Sequence, residues 1–428
     1  MEYKNFKHQS YNLYTIKTDK FRTCHMEVIF RHKLEKEEVT IANVLRRYLG
    51  YTSKKYNKRK LVVEALEDLY DASFYTASSR VGNSIFISFI LDILDPVFCY
   101  KGYLDQALKL PFEFIFNPNF TNEAADEKLF SVITNLTKRD IKSLKERPAS
   151  YAFKRAFQTM DKNSPCSINI NGDLKDLALI TKEDVYKYYN KLLKDYVCDI
   201  YVIGNLDMDN VDKIIAKEYI NDSKAKDNCS FEVKNKNVRK ATDIEEDGEY
   251  EQSSLIMLFN ADTFTDKEKN YTIHYFNSIF GNGSLSNKLN QYLREENGMC
   301  YSTYSMYQKL DNTLAVYAGI DRENKDKCVE LVKKALKEMQ KGEFKEEEID
   351  YARETLTNQL KSSLDIQTSV LDNYVFHNLI DAPTLQTRLQ NIGDVTKEEI
   401  IALAKKINLS TIYLLGGTNA KENWTIKI

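Results

Sequence analysis

"FTNEAAD" at Phe120–Asp126 and "FKEEEID" at Phe344–Asp350 decide how this chain is organised. Phe120, Glu123 and Asp126 return as Phe344, Glu347 and Asp350, and Leu136 returns as Leu360 at the same offset. Each segment opens a long helical pattern. Further on, "LITKEDV" (Leu179–Val185) is matched by "DVTKEEI" (Asp394–Ile400), and each runs through a helix into a short strand. Those strands, "DIYVIGN" (Asp199–Asn205) and "TIYLLGG" (Thr411–Gly417), share Tyr201 and Gly204 with Tyr413 and Gly416. The landmarks keep their order, and the offset shrinks steadily, as differing loop lengths require. The pattern reads as an internal duplication of about half the chain.

This predicts an N-terminal domain over 1–218, a linker over 219–252 and a C-terminal domain over 253–428. The linker is charged and lacks helical period, with an edge strand expected at "SFEVKN" (Ser230–Asn235). Within each half strands come first: "YNLYTIKT" and "HMEVIFRH", then "SSLIMLFN" in the second half. Helices follow, then a strand pair in which β-branched and aromatic residues alternate with a period of two. Long helices and a final helix–strand complete each half. The fold class is α+β, with antiparallel-rich sheets and helices packed on one face.

Bulk properties exclude several functions. The 428 residues carry 61 Lys+Arg against 63 Asp+Glu, so no excess of positive charge suggests nucleic acid as a partner. Hydrophobic residues make up 43% and charged residues 29%, as in a globular chain. The seven cysteines are odd in number and form no CxxC, which suits reduced thiols in a cytoplasmic protein. The N-terminus is polar, with no visible signal peptide. The most apolar run, "SIFISFILDIL", is too short to span a bilayer and contains Asp92, so no membrane association is expected. No GxSxG, GxGxxG or P-loop is present. The five histidines show no ligand spacing.

"NVLRRYLGYTSKKY" (Asn43–Tyr56) is the most informative helix. On a helical wheel Ile41, Ala42, Val44, Leu45, Tyr48 and Leu49 share one side. Asn43, Arg46, Arg47 and Gly50 share the other. This segment resembles the zinc-motif helix of the M16 (pitrilysin/insulinase) peptidase family, whose members carry HxxEH in a run much like HFLEHMLFKGTKKY. Laid on that run without gaps, Asn43 and Arg47 stand where the two histidines would be, and Arg46 where the glutamate base would be. Lys54, Lys55 and Tyr56 keep the family's tail. The family takes its third ligand, a glutamate, from a later helix resembling "EKLFSVIT" (Glu127–Thr134), which puts Thr134 at that position. A guanidinium is permanently cationic and has no lone pair to offer a metal. The resemblance therefore implies two homologous M16-type (LuxS/MPP-like) domains, a degenerate zinc site at Asn43, Arg46, Arg47 and Thr134, and no metal in this chain.

"SLSNKLNQYLREENGMCYSTYS" (Ser284–Ser305) carries the second resemblance. Leu285, Leu289, Tyr292 and Leu293 mark a helix face, Gly298 suits a helix stop, and a strand follows. The family's C-terminal domain offers an Arg and a Tyr seven residues apart on such a helix–turn–strand, and here they resemble Arg294 and Tyr301. In active members that pair binds the substrate backbone and stabilises charge on the tetrahedral intermediate.

A plainer reading stands beside each motif. Two adjacent arginines on an amphipathic helix are by default a solvated face. Arg294 can be read as an ordinary salt-bridge partner, and Tyr301 as an ordinary strand aromatic. The resemblance implies a non-catalytic subunit that pairs as a heterodimer with an HxxEH-bearing M16 paralogue. Zinc is expected only in that partner, and a peptide or small polypeptide is the substrate. The alternative is a pseudo-peptidase scaffold or peptide-binding module with no part in hydrolysis.

Overall fold

The computed structural model describes residues 1–235, 240–283 and 286–417. The chain divides into two compact units. The first takes Met1–Lys142, Asn169–Phe231 and Asp365–Leu379. The second takes Ser143–Ile168, Glu232–Leu364 and the chain from Ile380 on.

The first unit holds β1 (Glu2–Lys7), β2 (Tyr11–Lys17), β3 (Thr23–Lys33), β4 (Ser73–Val81) and β5 (Ser84–Leu94). A small hairpin, β6 (Phe120–Thr121) with β7 (Ala124–Ala125), stands apart, and β8 (Val197–Gly204) completes the sheet. The sheet order is β1-β2-β8-β3-β5-β4, antiparallel throughout except for the β2–β8 pair. The second unit holds β9 (Thr242–Asp247), β10 (Ser253–Asn260), β11 (Cys300–Gln308), β12 (Thr313–Ile320) and β13 (Asn408–Gly416). Its order from one edge is β9-β13-β10-β12-β11, with only β9–β13 parallel. This repeats β2-β8-β3-β5-β4 strand for strand and sense for sense. The matched "TKED" and "TKEE" segments become matching helix starts. Thr181 with Asp184, and Thr396 with Glu399, each form a capping box that satisfies two otherwise orphaned backbone donors.

The expected linker over 219–252 contains a strand of the duplicated sheet. That strand is β9 rather than Ser230–Asn235, which runs irregularly, with Val233 buried and its N–H donated to the Leu310 carbonyl (2.8 Å). The acidic, almost wholly exposed "TDIEED" of β9 lacks alternation, as suits an edge strand guarded by charge. Only Glu246 is drawn inward, where it accepts from Tyr151 (2.9 Å), Arg155 (2.6 Å) and Tyr413 (2.7 Å).

The units also differ from the contiguous halves 1–218 and 253–428. The central strands explain why. β8 and β10 are buried along nearly their whole length, and β5 along most of its own, so both sheet faces must be covered. In the first unit the Val39–Tyr51 and Tyr103–Phe116 helices pack on β4 and β5 on one face. The opposite face, carrying Tyr14, Glu27 and Tyr201, takes the Gln367–Ile380 helix from the C-terminal half. There Tyr374 stacks on Tyr3 (4.9 Å), and Asn378 bonds the hydroxyls of Tyr3 and Tyr201. In the second unit the Pro148–Met160 helix from the N-terminal half covers the matching face. Ala152, Ala156, Phe157 and Met160 pack there on Ile256, Leu258, Tyr413 and Leu415. Each half therefore contributes one helix to the other half's sheet. Among the described residues no helix is long and apolar enough to cross a membrane.

Two consequences of the exchange can be measured. Phe157→Ala and Leu371→Ala each remove a buried side chain of an exchanged helix and should destabilise the protein by about 2–5 kcal/mol in denaturant titration. The fragment 1–218 by itself should stay molten, bind a hydrophobic dye, and lose that binding when mixed with 219–428. A sharp cooperative melt of the isolated fragment would contradict the exchange.

Candidate functional site

The Val39–Tyr51 helix forms as its pattern requires: Ala42, Val44, Leu45, Tyr48 and Leu49 are buried. The other side is only partly open to solvent, with Arg46, Arg47 and Gly50 half-buried. Asn43 is only 2% exposed. Its Nδ2 donates to the carbonyls of Val39 (3.0 Å) and Ile170, and its Oδ1 accepts from Ser78 Oγ (2.8 Å) and Arg46 Nη2 (3.2 Å). All four hydrogen-bonding positions of the amide are therefore filled. Gly50 lies so close to Thr76 that a Cβ there would sit 2.6 Å from the threonine methyl. This glycine lets the helix settle onto β4.

Arg46 turns along the same strand and donates to the Thr76 carbonyl (2.8 Å), while its Nε is buried without a partner. Burial, and then the neighbouring charge of Arg47, push its pKa down to about 10. The guanidinium still carries its charge at neutral pH, and among the described residues it has no carboxylate partner. Arg47 reaches the other way and pairs with Asp140 on the Glu127–Ser143 helix. Burial lowers its pKa, and the charge of Arg139 adds to the effect. The solvated-face reading of the two arginines is thus corrected: strand and helix cover them.

The Glu127–Ser143 helix meets the motif helix through Asp140. Thr134 lies further back and turns its hydroxyl onto its own helix, at the carbonyls of Phe130 (3.0 Å) and Ser131 (3.1 Å). The tail that follows the motif helix winds around Glu113. That carboxylate accepts from Ser53 Oγ (2.7 Å) and the Lys55 N–H (3.1 Å), while the Lys54 N–H reaches the Asn117 carbonyl (2.8 Å).

These residues do not fit zinc. The amide of Asn43 is consumed by four hydrogen bonds, and two cations stand where anionic or imidazole ligands are needed. Among the described residues no cluster of three or more His, Cys, Asp or Glu side chains could hold a metal ion.

Arg294 and Tyr301 lie in the second unit, on the predicted helix–turn–strand. Leu285, the first residue of the expected helix face, and Ser284 lie outside the described residues. Leu289, Tyr292 and Leu293 are buried as expected. The segment Asn290–Glu295 is π-helical, with the Glu296 N–H bonded five residues back to Gln291 (2.9 Å). Gly298 ends it at φ +59° with open space about its α-carbon, so the left-handed backbone alone calls for glycine. Two reverse bonds close the turn, from the Gly298 N–H to Arg294 (2.9 Å) and from the Met299 N–H to Leu293 (2.8 Å).

β11 then begins with a bulge. Cys300 pairs with Ile320 and Thr303 with Ala318, so one extra residue is accommodated in between. Tyr301 falls in that bulge and is 90% exposed, between a buried Cys300 and a buried Thr303. Bulges of this kind re-aim side chains. Arg294 is exposed and makes no ion pair among the described residues, so the salt-bridge reading does not hold for it. Burial pushes the Cys300 thiol up to about 11 while the charge of Arg294 pulls the other way. The guanidinium therefore acts on the residue next to Tyr301.

The backbone holding the pair is fixed from behind. Glu338, on the Lys325–Lys341 helix, binds the Tyr292 hydroxyl and Lys288 Nζ (2.9 Å). Burial opposes ionisation of this carboxyl, but those two donors outweigh it and hold its pKa below the usual value. Asn277 and Ser305 bond each other reciprocally and tie the Ile273–Phe280 helix to β11. Neither Glu338 nor Asp140 was visible as a site residue in the sequence, because each meets its partner across a long stretch of chain.

Asn43 and Arg46 predict opposite responses. Asn43→Ala strands groups that it now pairs, each at about 1–3 kcal/mol, and should lower the midpoint of urea unfolding. Arg46→Met removes a half-buried charge that has no counter-ion among the described residues and should leave that midpoint unchanged or raised. A large loss of stability with Arg46→Met would refute the unpaired-charge assignment.

Comparison with known proteins agrees with this geometry. The family model described as peptidase M16 inactive domain matches residues 179–356. The Bacillus subtilis protein named "probable inactive metalloprotease YmfF" is 26% identical over 417 residues, covering 96% of this chain and 97% of that one. A conserved protein from Enterococcus faecalis V583 shares the fold with a TM-score of 0.90 at 24% identity, covering 97% of this chain and 99% of its own. The peptidase M16 inactive domain structure from Pseudomonas fluorescens does so with a TM-score of 0.79 at 16% identity, covering 98% and 99%. The chain thus matches the peptidase M16 inactive domain over residues 179–356 and is similar, along nearly its whole length, to a protein named as a probable inactive metalloprotease.

Proposed function

We propose that this chain is the non-catalytic subunit of an M16-type zinc peptidase. It pairs with a paralogue that carries HxxEH and zinc, and it contributes Arg294 and Tyr301 to peptide binding and to the transition state. The observation that supports this reading is the state of that pair. A cation with no counter-ion among the described residues and a phenol that is 90% exposed are presented on a bulged, back-braced frame. At the other motif each replaced residue is absorbed into the fold.

The chemistry follows from the groups. A peptide carbonyl under attack gains negative charge on oxygen. A fixed guanidinium and a phenol hydroxyl lower the energy of that charge more than that of the neutral ground state. The guanidinium also offers a planar fork to carbonyl or carboxylate oxygens. The partner's zinc supplies the activated water. This chain holds the substrate and takes up charge, and it carries no zinc of its own. The expected compartment is the cytoplasm, consistent with seven cysteines of which none is paired. In the scaffold reading Arg294 and Tyr301 are inherited and idle.

The test is cleavage of a mixed fluorogenic peptide library by this chain, by an HxxEH-bearing paralogue from the same organism, and by the two together. Activity should appear only in the mixture and fall about 10²–10³-fold with Arg294→Ala. Arg294→Lys should recover part of the loss in kcat but not the fork-dependent part of KM. Metal analysis of this chain alone should find zinc far below one per chain. Equal activity with and without this chain would leave only the scaffold role, and one zinc per chain would overturn the reading of the motif helix.

A further inference from the structure

The charged stretch from 219 on, expected as a linker, borders a cavity of about 470 Å³ in the first unit. Lys224 and Lys226 line it together with Lys194 and Asp195, the last residues of the Lys182–Asp195 helix. Asn228 and His32, which is 7% exposed, complete the polar lining.

The segment carrying Lys224 and Lys226 is held at both ends. Asn221 Nδ2 donates to the Leu193 carbonyl (2.7 Å), and the Asn221 carbonyl accepts from Ser10 Oγ (2.7 Å). Asp227 accepts from Arg31 Nη1 (2.6 Å). Asn228 Oδ1 accepts from the Lys33 N–H (3.0 Å), which turns its Nδ2 toward His32 Nε2 (2.8 Å). That bond fixes the imidazole tautomer: Nε2 accepts, so Nδ1 carries the proton and donates to the Lys33 carbonyl (3.0 Å). Tyr196 stacks on the same ring, with centroids 4.7 Å apart. The two lysines are thus carried between fixed points at Asn221 and Asp227.

We propose that this cavity binds a small organic polyanion, a molecule with two or more phosphate or carboxylate groups. Among the described residues the ammonium groups of Lys194, Lys224 and Lys226 have no ion-pair or hydrogen-bond partner. Three positive charges border one space with a single carboxylate, Asp195, so two remain uncompensated. Asp222 and Asp227 flank the segment but do not line the cavity, and Asp227 is committed to Arg31. The chain as a whole carries a formal charge of −2, so this positive charge is a local feature. The volume falls in the range of about 300–1,000 Å³ usual for small-molecule sites. Ammonium groups act as point charges with rotatable donors, which suits anionic oxygens spread over a molecule. A plainer role exists for Lys194 alone, since a cation in the last turn complements the helix dipole. It does not extend to Lys224 and Lys226, which lie outside any helix or strand.

The test uses the full chain, with ionic strength held constant by chloride because exposed charges are screened by salt. Inorganic pyrophosphate and citrate are each titrated by calorimetry, with acetate as the singly charged control. The expected result is one saturable site per chain for a polyanion and none for acetate, with the His32 ring resonance shifting along the same saturation curve. Combining Lys224→Gln with Lys226→Gln should weaken binding by about tenfold or more, as loss of charge-assisted contacts requires. The same exchange at Lys333 and Lys337, exposed on the Lys325–Lys341 helix, should leave binding unchanged. Lys194→Gln carries the test if the double variant fails to fold by circular dichroism. Tighter binding of pyrophosphate names phosphate esters as the ligand class, and tighter binding of citrate names polycarboxylates. Absence of saturable binding of either polyanion, equal binding of acetate, undiminished binding in the folded Lys224 and Lys226 double variant, or an equal loss in the Lys333 and Lys337 control would overturn the proposal.

Discussion

The structure depends on central strands that are buried on both faces. β8 and β10 present no polar side to water, so neither sheet is stable with a single layer of helices. At about 25 cal/mol per Å² of apolar surface, leaving one face open would forfeit much of what holds a unit together. Each half of the chain covers one face with its own helices. The other face is covered by a helix of the opposite half, Pro148–Met160 in one direction and Gln367–Ile380 in the other. The arrangement respects the duplication, because the two exchanged helices follow matching helices in the two repeats. Strand order, edge protection at β9 and the exposure of β11 at its bulge all sit within this constraint.

The two motif regions were treated differently by the fold. At the first, Asn43, Arg46 and Arg47 have become ordinary structural residues. Asn43 joins its own helix to β4 and to the Ile170 backbone, and Arg47 binds a second helix through Asp140. Arg46 is the incomplete case: it lies on β4 with a buried Nε that no described residue satisfies. At the second region the reverse holds. Glu338, Asn277 and Ser305 secure the backbone, while Arg294 and Tyr301 extend from it with no hydrogen-bond or ion-pair partner among the described residues. A residue freed from packing on a rigid frame is available for a ligand. A residue whose bonds are all internal is not.

Much of the fold was legible in the sequence because its signals are local. The alternating strands of the β4–β5 and β11–β12 pairs lie where the pattern put them, and Thr181 and Thr396 cap the helices that their neighbours announced. β9 was missed because an acidic edge strand has no buried face to alternate with. The exchange of helices was missed because amphipathicity shows that a helix must pack, not on which sheet. The burial of Asn43 was missed for a related reason. A helical wheel sorts polar from apolar residues, and a buried amide with four partners sits on the polar side. Gly298 and the seven-residue spacing from Arg294 to Tyr301 were readable, but the bulge that turns Tyr301 outward depends on the register with β12.

The exchange also fixes an order of events during synthesis. β8 ends at Gly204, but the helix that covers the second face of its sheet begins only at Gln367. At about 5–20 residues per second, a ribosome needs on the order of 10–30 s to make the intervening chain. For that interval the nascent first sheet has one face complete and the other, with Tyr14 and Tyr201, uncovered. Until that helix arrives the face stands open to water. Its maturation is paced by translation of the second half rather than by collapse of the first.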